Sequence, residues 1–182
     1  MGRGSVDCVG RFTCGSGSSG WAAVTMLGPM PADENLYFAY GSNMGASAFR
    51  VRCPHAVQVG IARVEGYRIG FTGYSANRGG GVADLVEAAS SVVWGALFDL
   101  TKDGFDRLDR YEGVASRAYA RDIWKLTRDD GTPVSAWTYV VVNKKPEILP
   151  SHEYWELLVD GATEAGLPPG YVAHLEGLAH GS

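Results

Sequence analysis

Apolar residues in the first half of the chain repeat with the short periods of β-strands. Residues 36–40, "LYFAY", form a short aromatic run, and residues 58–75 form a longer run whose glycines predict bends or bulges. Residues 77–88, "NRGGGVADLVEA", begin as a loop and regain strand character near Val82–Val86. Residues 90–100, "SSVVWGALFDL", carry apolar side chains on both faces, which indicates a buried strand.

Helical periods occupy other segments, and each begins at a polar residue. Three such residues are predicted N-caps: Asn43, Thr101 and Ser151. The first helix is predicted to run from Met44 to about Arg50, and a last short helix follows "LPPG". Because strands dominate the middle and helices the end, the pattern predicts an α+β fold with a strongly bent or closed sheet.

One hairpin can be placed by its turn. If residues 129–131 form a three-residue loop with Gly131 in the left-handed conformation, Tyr119 lies opposite Val141. Tyr139 is two residues from Val141 and therefore shares a face with Tyr119, whereas a two-residue loop would put the tyrosines on opposite faces. The pair is either core or edge aromatics, or two hydroxyls lining a pocket.

Composition narrows the classes of partner. The 182 residues suit one domain, and a formal net charge of −4 gives no reason to expect nucleic acid. No stretch approaches the roughly 20 apolar residues of a membrane span. The three cysteines make a poor disulfide framework, and the four histidines show no metal-ligand spacing. We therefore expect a small molecule or another protein as partner and no metal. The absence of an export signal predicts a cytoplasmic protein, with a homodimer left open.

The beginning of the chain has a different composition. Residues 1–34 are rich in Gly and Ser and are predicted to be a flexible leader before a folded domain over residues 35–179. "GSGSSG", residues 15–20, fits a nucleotide-loop pattern, but no clear strand precedes it. A nucleotide-binding protein is therefore the least favoured of the functions considered.

The turn Gly41-Ser42-Asn43 between a strand and a helix has two possible roles. It is either a simple connector with an Asn cap, or a set of backbone N–H groups that hold an anion together with the N-terminus of the helix.

The carboxylates offer several candidates for acid–base chemistry. Glu112 precedes the helix-stopping Gly113, where a side chain can point into a cleft, although a solvated surface Glu is the plainer interpretation. Composition does not choose among the carboxylates, because surface roles are equally plausible for Glu65, Asp84, Glu87, Asp99 and Asp109.

Several separated stretches together resemble the γ-glutamylcyclotransferase family. They are "YFAYGSNM", "VVWGALFDLTKDGFDRLDRYEGV", "SRAYARDIWKL", "SAWTYVV" and "PSHEYWELLVDGATEAGLPPGYVAHL", and they occur in the family's order from about Leu36 to Leu178. A glutathione-specific branch has Leu after Tyr-Gly-Ser, where Asn43 stands here, which argues against that branch.

The resemblance implies a small β-barrel with helices packed around it and a cofactor-independent enzyme. The reaction would release 5-oxoproline from a γ-glutamyl amide, with Glu112 as the general acid/base. The implied substrate-binding residues are Tyr40, Gly41, Ser42, Asn43, Met44, Tyr119 and Tyr139. The alternative is a non-catalytic module that binds a γ-glutamyl group or another carboxylate on the same fold. Neither motif nor spacing chooses between a γ-glutamyl amino acid, an amine and a biosynthetic intermediate as substrate.

Overall fold

Five strands close into a barrel in the computed structural model, which describes residues 34–179. The strands are β1 (Leu36–Ala39), β2 (Val57–Ser75), β3 (Gly80–Asp99), β4 (Tyr119–Arg128) and β5 (Pro133–Val141). Their order around the barrel is β1-β3-β2-β4-β5, and a parallel contact between Tyr37 and Trp137 closes it. The predicted fold class, α+β with a closed or strongly bent barrel, is confirmed.

Four helices pack around the barrel within the described residues. They are α1 (Ala46–Arg52), α2 (Lys102–Tyr111), α3 (His152–Glu164) and α4 (Pro169–Ala179). The side chains of Thr101 and Ser151 accept hydrogen bonds from backbone N–H groups at the start of α2 and α3, as predicted. The predicted cap at Asn43 is wrong, because α1 begins later, after Gly45, and has no side-chain cap.

The long hairpin of β2 and β3 differs from the prediction at its tip. Residues 90–100 belong to the same strand as the stretch around Val82, and that strand begins at Gly80, inside the predicted loop. A Cβ at Gly81 would overlap with the carbonyl oxygen of Ile148 from a segment that crosses the sheet. Glycine here signals this close approach rather than a loop.

The hairpin of β4 and β5 has the predicted register. Tyr119 pairs with Val141, and Gly131 adopts a φ of 85° in the turn. Tyr119 and Tyr139 therefore lie on the same face, and both reach one cavity. The length of the loop alone determined which face each tyrosine occupies.

The predictions for the leader lie outside the described residues, except at position 34, which begins a turn.

Within residues 34–179, Cys53 is buried and free, and no cluster of His, Cys, Asp or Glu could hold a metal ion. None of the helices in the described part of the chain combines the length and hydropathy needed to cross a bilayer.

Candidate active site

A cavity of about 40 Å³ lies where β1 ends and the chain turns toward α1. Seven residues predicted from the sequence line it: Tyr40, Gly41, Ser42, Asn43, Glu112, Tyr119 and Tyr139. Three residues that the sequence analysis missed complete the wall: Tyr37, Ala83 and Tyr154. Met44, the remaining predicted residue, is 1% exposed and packs in the hydrophobic core, not in the cavity wall. The barrel thus gathers residues from six segments of the chain at one point.

The turn after β1 lies beside this cavity and leaves two backbone N–H groups without a partner among the described residues. The N–H of Met44 donates to the carbonyl oxygen of Gly41 at 3.0 Å, which closes a β-turn. The backbone N–H groups of Ser42 and Asn43 donate to no other described residue. Since both residues line the cavity, their amides are available to a bound anion.

The N-terminus of α1 bonds another part of the chain, which disfavours the interpretation in which this helix end helps to hold an anion. The N–H of Ser47 donates to Oε1 of Glu164 at 2.8 Å, and the Ser47 hydroxyl donates to the same oxygen. These hydrogen bonds, from the hydroxyl first and the backbone second, lower the pKa of Glu164. A carboxylate of the chain itself therefore caps the N-terminus of α1.

Glu112 owes its position to the end of α2. Its N–H donates to the carbonyl oxygen of Leu108 at 2.8 Å, and Gly113 then leaves the helix with a φ of 68°. The Glu112 Oε1 accepts a hydrogen bond from Nδ2 of Asn43 at 3.0 Å. Burial raises the pKa of Glu112, and Asn43 and the charge of Arg52 only partly offset that rise. The carboxyl is thus half-buried, and its charged form is disfavoured.

Asn43 is a bridge between elements. Its Nδ2 also donates to the hydroxyl of Tyr37 at 3.0 Å, and its Oδ1 accepts from Nη1 of Arg52 at 2.6 Å. The residue is 4% exposed and has partners on both sides of its amide. A side chain that looked like a local helix cap therefore connects β1 and α1 to Glu112.

The tyrosines of the wall differ in what their hydroxyls do. Tyr40 donates to the carbonyl oxygen of Tyr139 at 2.6 Å, and Tyr154 accepts from the N–H of Ala83 at 3.0 Å. Burial raises the pKa of Tyr154 to about 12 and the pKa of Tyr119 still further. No other described residue bonds the Tyr119 hydroxyl, so it is the tyrosine best able to bind a ligand.

The hydroxyl of Tyr139 bonds a residue that does not line the cavity. This hydroxyl donates to Oδ1 of Asp109 at 2.6 Å, and Oδ2 of Asp109 lies 3.3 Å from Nη1 of Arg121. The Arg121 guanidinium lies near the rings of Phe105 and Trp137 at 5.1 and 5.0 Å. Tyr139 therefore contributes its ring to the cavity while its hydroxyl is bonded elsewhere.

The three wall residues that were not predicted, Tyr37, Ala83 and Tyr154, had no distinct signal in the sequence. Tyr154 belongs to the buried stripe of α3 and Tyr37 to an aromatic strand, so both fit an ordinary core pattern. Their approach to Glu112 results from the closure of the barrel. No local period could have indicated it.

Replacing Glu112 by Gln is expected to stabilise the folded protein at neutral pH. The pKa of Glu112 is higher in the folded state than in the unfolded state, where it is about 4.3. The contribution of Glu112 to stability is therefore fully present below about pH 4.3 and is lost as pH rises through the folded pKa. Gln resembles the protonated carboxyl at every pH. The gain in Tm should therefore be largest near neutral pH and shrink toward about pH 4, and thermal unfolding of both proteins across that range measures it. A Tm difference independent of pH would contradict the raised pKa.

Comparison with known proteins identifies the family. The sequence pattern of the AIG2-like family matches residues 92–175. The gamma-glutamylcyclotransferase of Mus musculus is 30% identical over 147 residues, which cover 79% of this chain and 78% of the mouse protein. The Homo sapiens protein of the same name is 29% identical over 153 residues, 81% of each chain. A solved structure named gamma-glutamyl cyclotransferase has a TM-score of 0.74 at 29% identity and covers 78% of this chain and 86% of that one. These matches confirm the resemblance drawn from the motifs, and the chain belongs to the γ-glutamylcyclotransferase family.

Proposed function

We propose that the protein converts a γ-glutamyl amide into 5-oxoproline and releases the amine, with Glu112 as the general acid and base. The observation that carries the proposal is the desolvated carboxyl of Glu112 in the wall of a cavity that also contains a turn with available amides. The relatives that carry the name gamma-glutamylcyclotransferase support this choice of reaction.

The reaction is intramolecular. The α-amine of the glutamyl group attacks its own γ-carbonyl carbon, so one C–N bond forms in the ring as the C–N bond to the leaving amine breaks. The α-ammonium loses two protons on becoming a lactam N–H, and the departing amide nitrogen gains two on becoming an ammonium. Holding the two reacting atoms in place can contribute roughly 7–11 kcal/mol.

Glu112 is suited to the proton transfers. As a carboxylate it takes a proton from the α-ammonium, and as an acid it returns one to the leaving nitrogen. Asn43 holds Oε1 of Glu112, and no described residue donates to the second carboxyl oxygen. That oxygen is therefore the one we assign to the substrate.

The turn and the tyrosines would hold the glutamyl group. The amides of Ser42 and Asn43 are the proposed partners of the α-carboxylate or of the developing oxyanion. Gly41 and Tyr40 shape the end of β1, and the hydroxyl of Tyr119 is available for a further hydrogen bond. Met44 supports the turn from the core, and Tyr139 provides an aromatic wall.

The leaving group would extend past Tyr119. A neighbouring cavity of about 200 Å³ shares Tyr119 with the first and contains Arg117 and Lys145 in its wall. Neither cation forms an ion pair with another described residue. Arg117 adopts a φ of 58°, which is uncommon for a residue other than glycine. Two unpaired cations favour a leaving amine that carries a carboxylate.

The test is 5-oxoproline formation, measured by chromatography with γ-glutamyl dipeptides, γ-glutamylamines and glutathione. We expect turnover of γ-glutamyl dipeptides with a lower KM than that of γ-glutamylamines, because a dipeptide places a carboxylate near Arg117 and Lys145, whereas a simple amine does not. Turnover of none of these substrates would overturn the proposed function. Equal KM values for both classes would overturn only the assignment of the leaving-group cavity.

Variants of the two cations sharpen this test. Arg117→Asn removes the charge with a residue that tolerates positive φ, and Lys145→Gln removes the other charge. Both should raise KM for dipeptides and leave KM for amines nearly unchanged. Lys125→Gln is a matched control, since Lys125 is also exposed but lies outside these cavities.

A further inference from the structure

Arg52 reaches the candidate site from behind Asn43. It is the last residue of α1, and its Nη1 lies 2.6 Å from Oδ1 of Asn43 and 3.4 Å from the carbonyl oxygen of Ser42. The Arg52 guanidinium carbon also lies 4.5 Å from the centroid of the Tyr111 ring. The side chain is thus held by two different elements, although Arg52 does not line the cavity.

The chemistry of these groups determines the orientation of the Asn43 amide. Arginine has only donors, so it bonds the one oxygen that an Asn side chain offers. The amide nitrogen must then point the other way, toward Glu112 and Tyr37, where both bonds are 3.0 Å. A flipped amide would place its oxygen against the Glu112 carboxylate and its N–H groups against the guanidinium.

We propose that Arg52 is a positioning residue that orients Asn43, so that one oxygen of Glu112 is held and the other is left for the substrate. The catalytic consequence rests on the proposed function, whereas the orientation of Asn43 and its effect on the carboxyl do not. Arg52 acts on Glu112 through Asn43 and by its charge, with no direct hydrogen bond to Glu112.

The charges around Glu112 make this role measurable. The groups that interact electrostatically with Glu112 are Arg52 from α1, Tyr37 from β1, Tyr119 from β4 and Tyr154 from α3. Burial raises the pKa of each of the three tyrosines, so they are neutral at neutral pH. Arg52 is the cation of this group, and its loss should move the pKa of Glu112 upward.

The experiment compares the wild type with Arg52→Met, which keeps an unbranched apolar stem and removes the donors and the charge. Arg52→Lys retains a charge and one set of donors, and Arg50→Gln removes a charge from the exposed side of the same helix. The pKa of Glu112 is measured without substrate from the pH dependence of its ¹³C carboxyl NMR signal. The kcat, KM and pH profile of 5-oxoproline formation are measured in parallel.

For Arg52→Met we expect an upward shift of the Glu112 pKa, the same shift in the acid limb of kcat/KM, and a kcat roughly 10–100-fold lower, as for the loss of a bond to a charged group. Arg52→Lys should recover part of each change, and Arg50→Gln should match the wild type. A purely structural role would lower Tm without moving the Glu112 pKa.

Two results would overturn the inference. One is an unchanged Glu112 pKa in a folded Arg52→Met, and the other is a kcat equal to that of the wild type. If Arg52→Met does not fold, Arg52→Lys and Arg52→Gln are compared instead. The inference is then overturned if both variants keep the wild-type Glu112 pKa and the wild-type kcat. A wild type that makes no 5-oxoproline contradicts the proposed function, and the NMR titration then still decides whether Arg52 controls Glu112.

Discussion

Glu112→Gln is expected to lower kcat by about 10²–10⁴-fold, the usual contribution of general acid–base catalysis, and to leave the fold intact. Gln keeps the shape of the side chain and can still bond Asn43, but it cannot take a proton from the α-ammonium. Glu112 is the one acid among the described residues that line the cavity, so the variant leaves no carboxyl in the described wall. The loss should therefore appear mainly in kcat, with a smaller change in KM.

Chromatography of 5-oxoproline with the best γ-glutamyl substrate measures this effect. Glu87→Gln is the matched control, because Glu87 is an exposed carboxylate on β3 outside the cavity. Near wild-type turnover in Glu112→Gln would move the catalytic role to another residue. If the wild type makes no 5-oxoproline while L-glutamate still raises its Tm, the non-catalytic binding module becomes the better interpretation.

Gly95→Ala is expected to lower the free energy of unfolding by about 1–3 kcal/mol, the range for overpacking a well-packed interior. A Cβ at Gly95 would overlap with the carbonyl oxygen of Ala39 and lie 2.6 Å from a ring carbon of Phe38. The main-chain oxygen cannot move aside as a side-chain tip could, so β1 itself must shift. Because β1 ends at Ala39, directly before Tyr40 and Gly41, kcat/KM should fall as well.

Urea unfolding compares this variant with Gly170→Ala in the first turn of α4. A Cβ at Gly170 meets no atom within 4 Å, so that substitution should be neutral or slightly stabilising. Wild-type stability of Gly95→Ala would show that β1 and β3 are less tightly apposed than the structure indicates.

Features with local causes could be predicted from the sequence. The side chains of Thr101 and Ser151 bond backbone groups three residues away, and the loop at 129–131 sets the register of the hairpin around it. The strand after Val57 and the apolar stripe of α3 follow from short periods in the residues themselves. In each case the partners lie within one element or in adjacent ones, so the spacing contains the information.

The candidate site depended on contacts between distant parts of the chain. By its neighbours, Asn43 is a typical helix cap, yet in the barrel it bonds Glu112, which is 69 residues away. Gly81 resembles a loop residue until the segment at Ile148 crosses it. Local spacing was enough to predict most strands and helices, the starts of α2 and α3, and the face that the hairpin tyrosines share. The interactions of Arg52, Tyr37 and Tyr154 with Glu112 follow from closure of the barrel, because they require strands and helices far apart in sequence to meet at the end of β1.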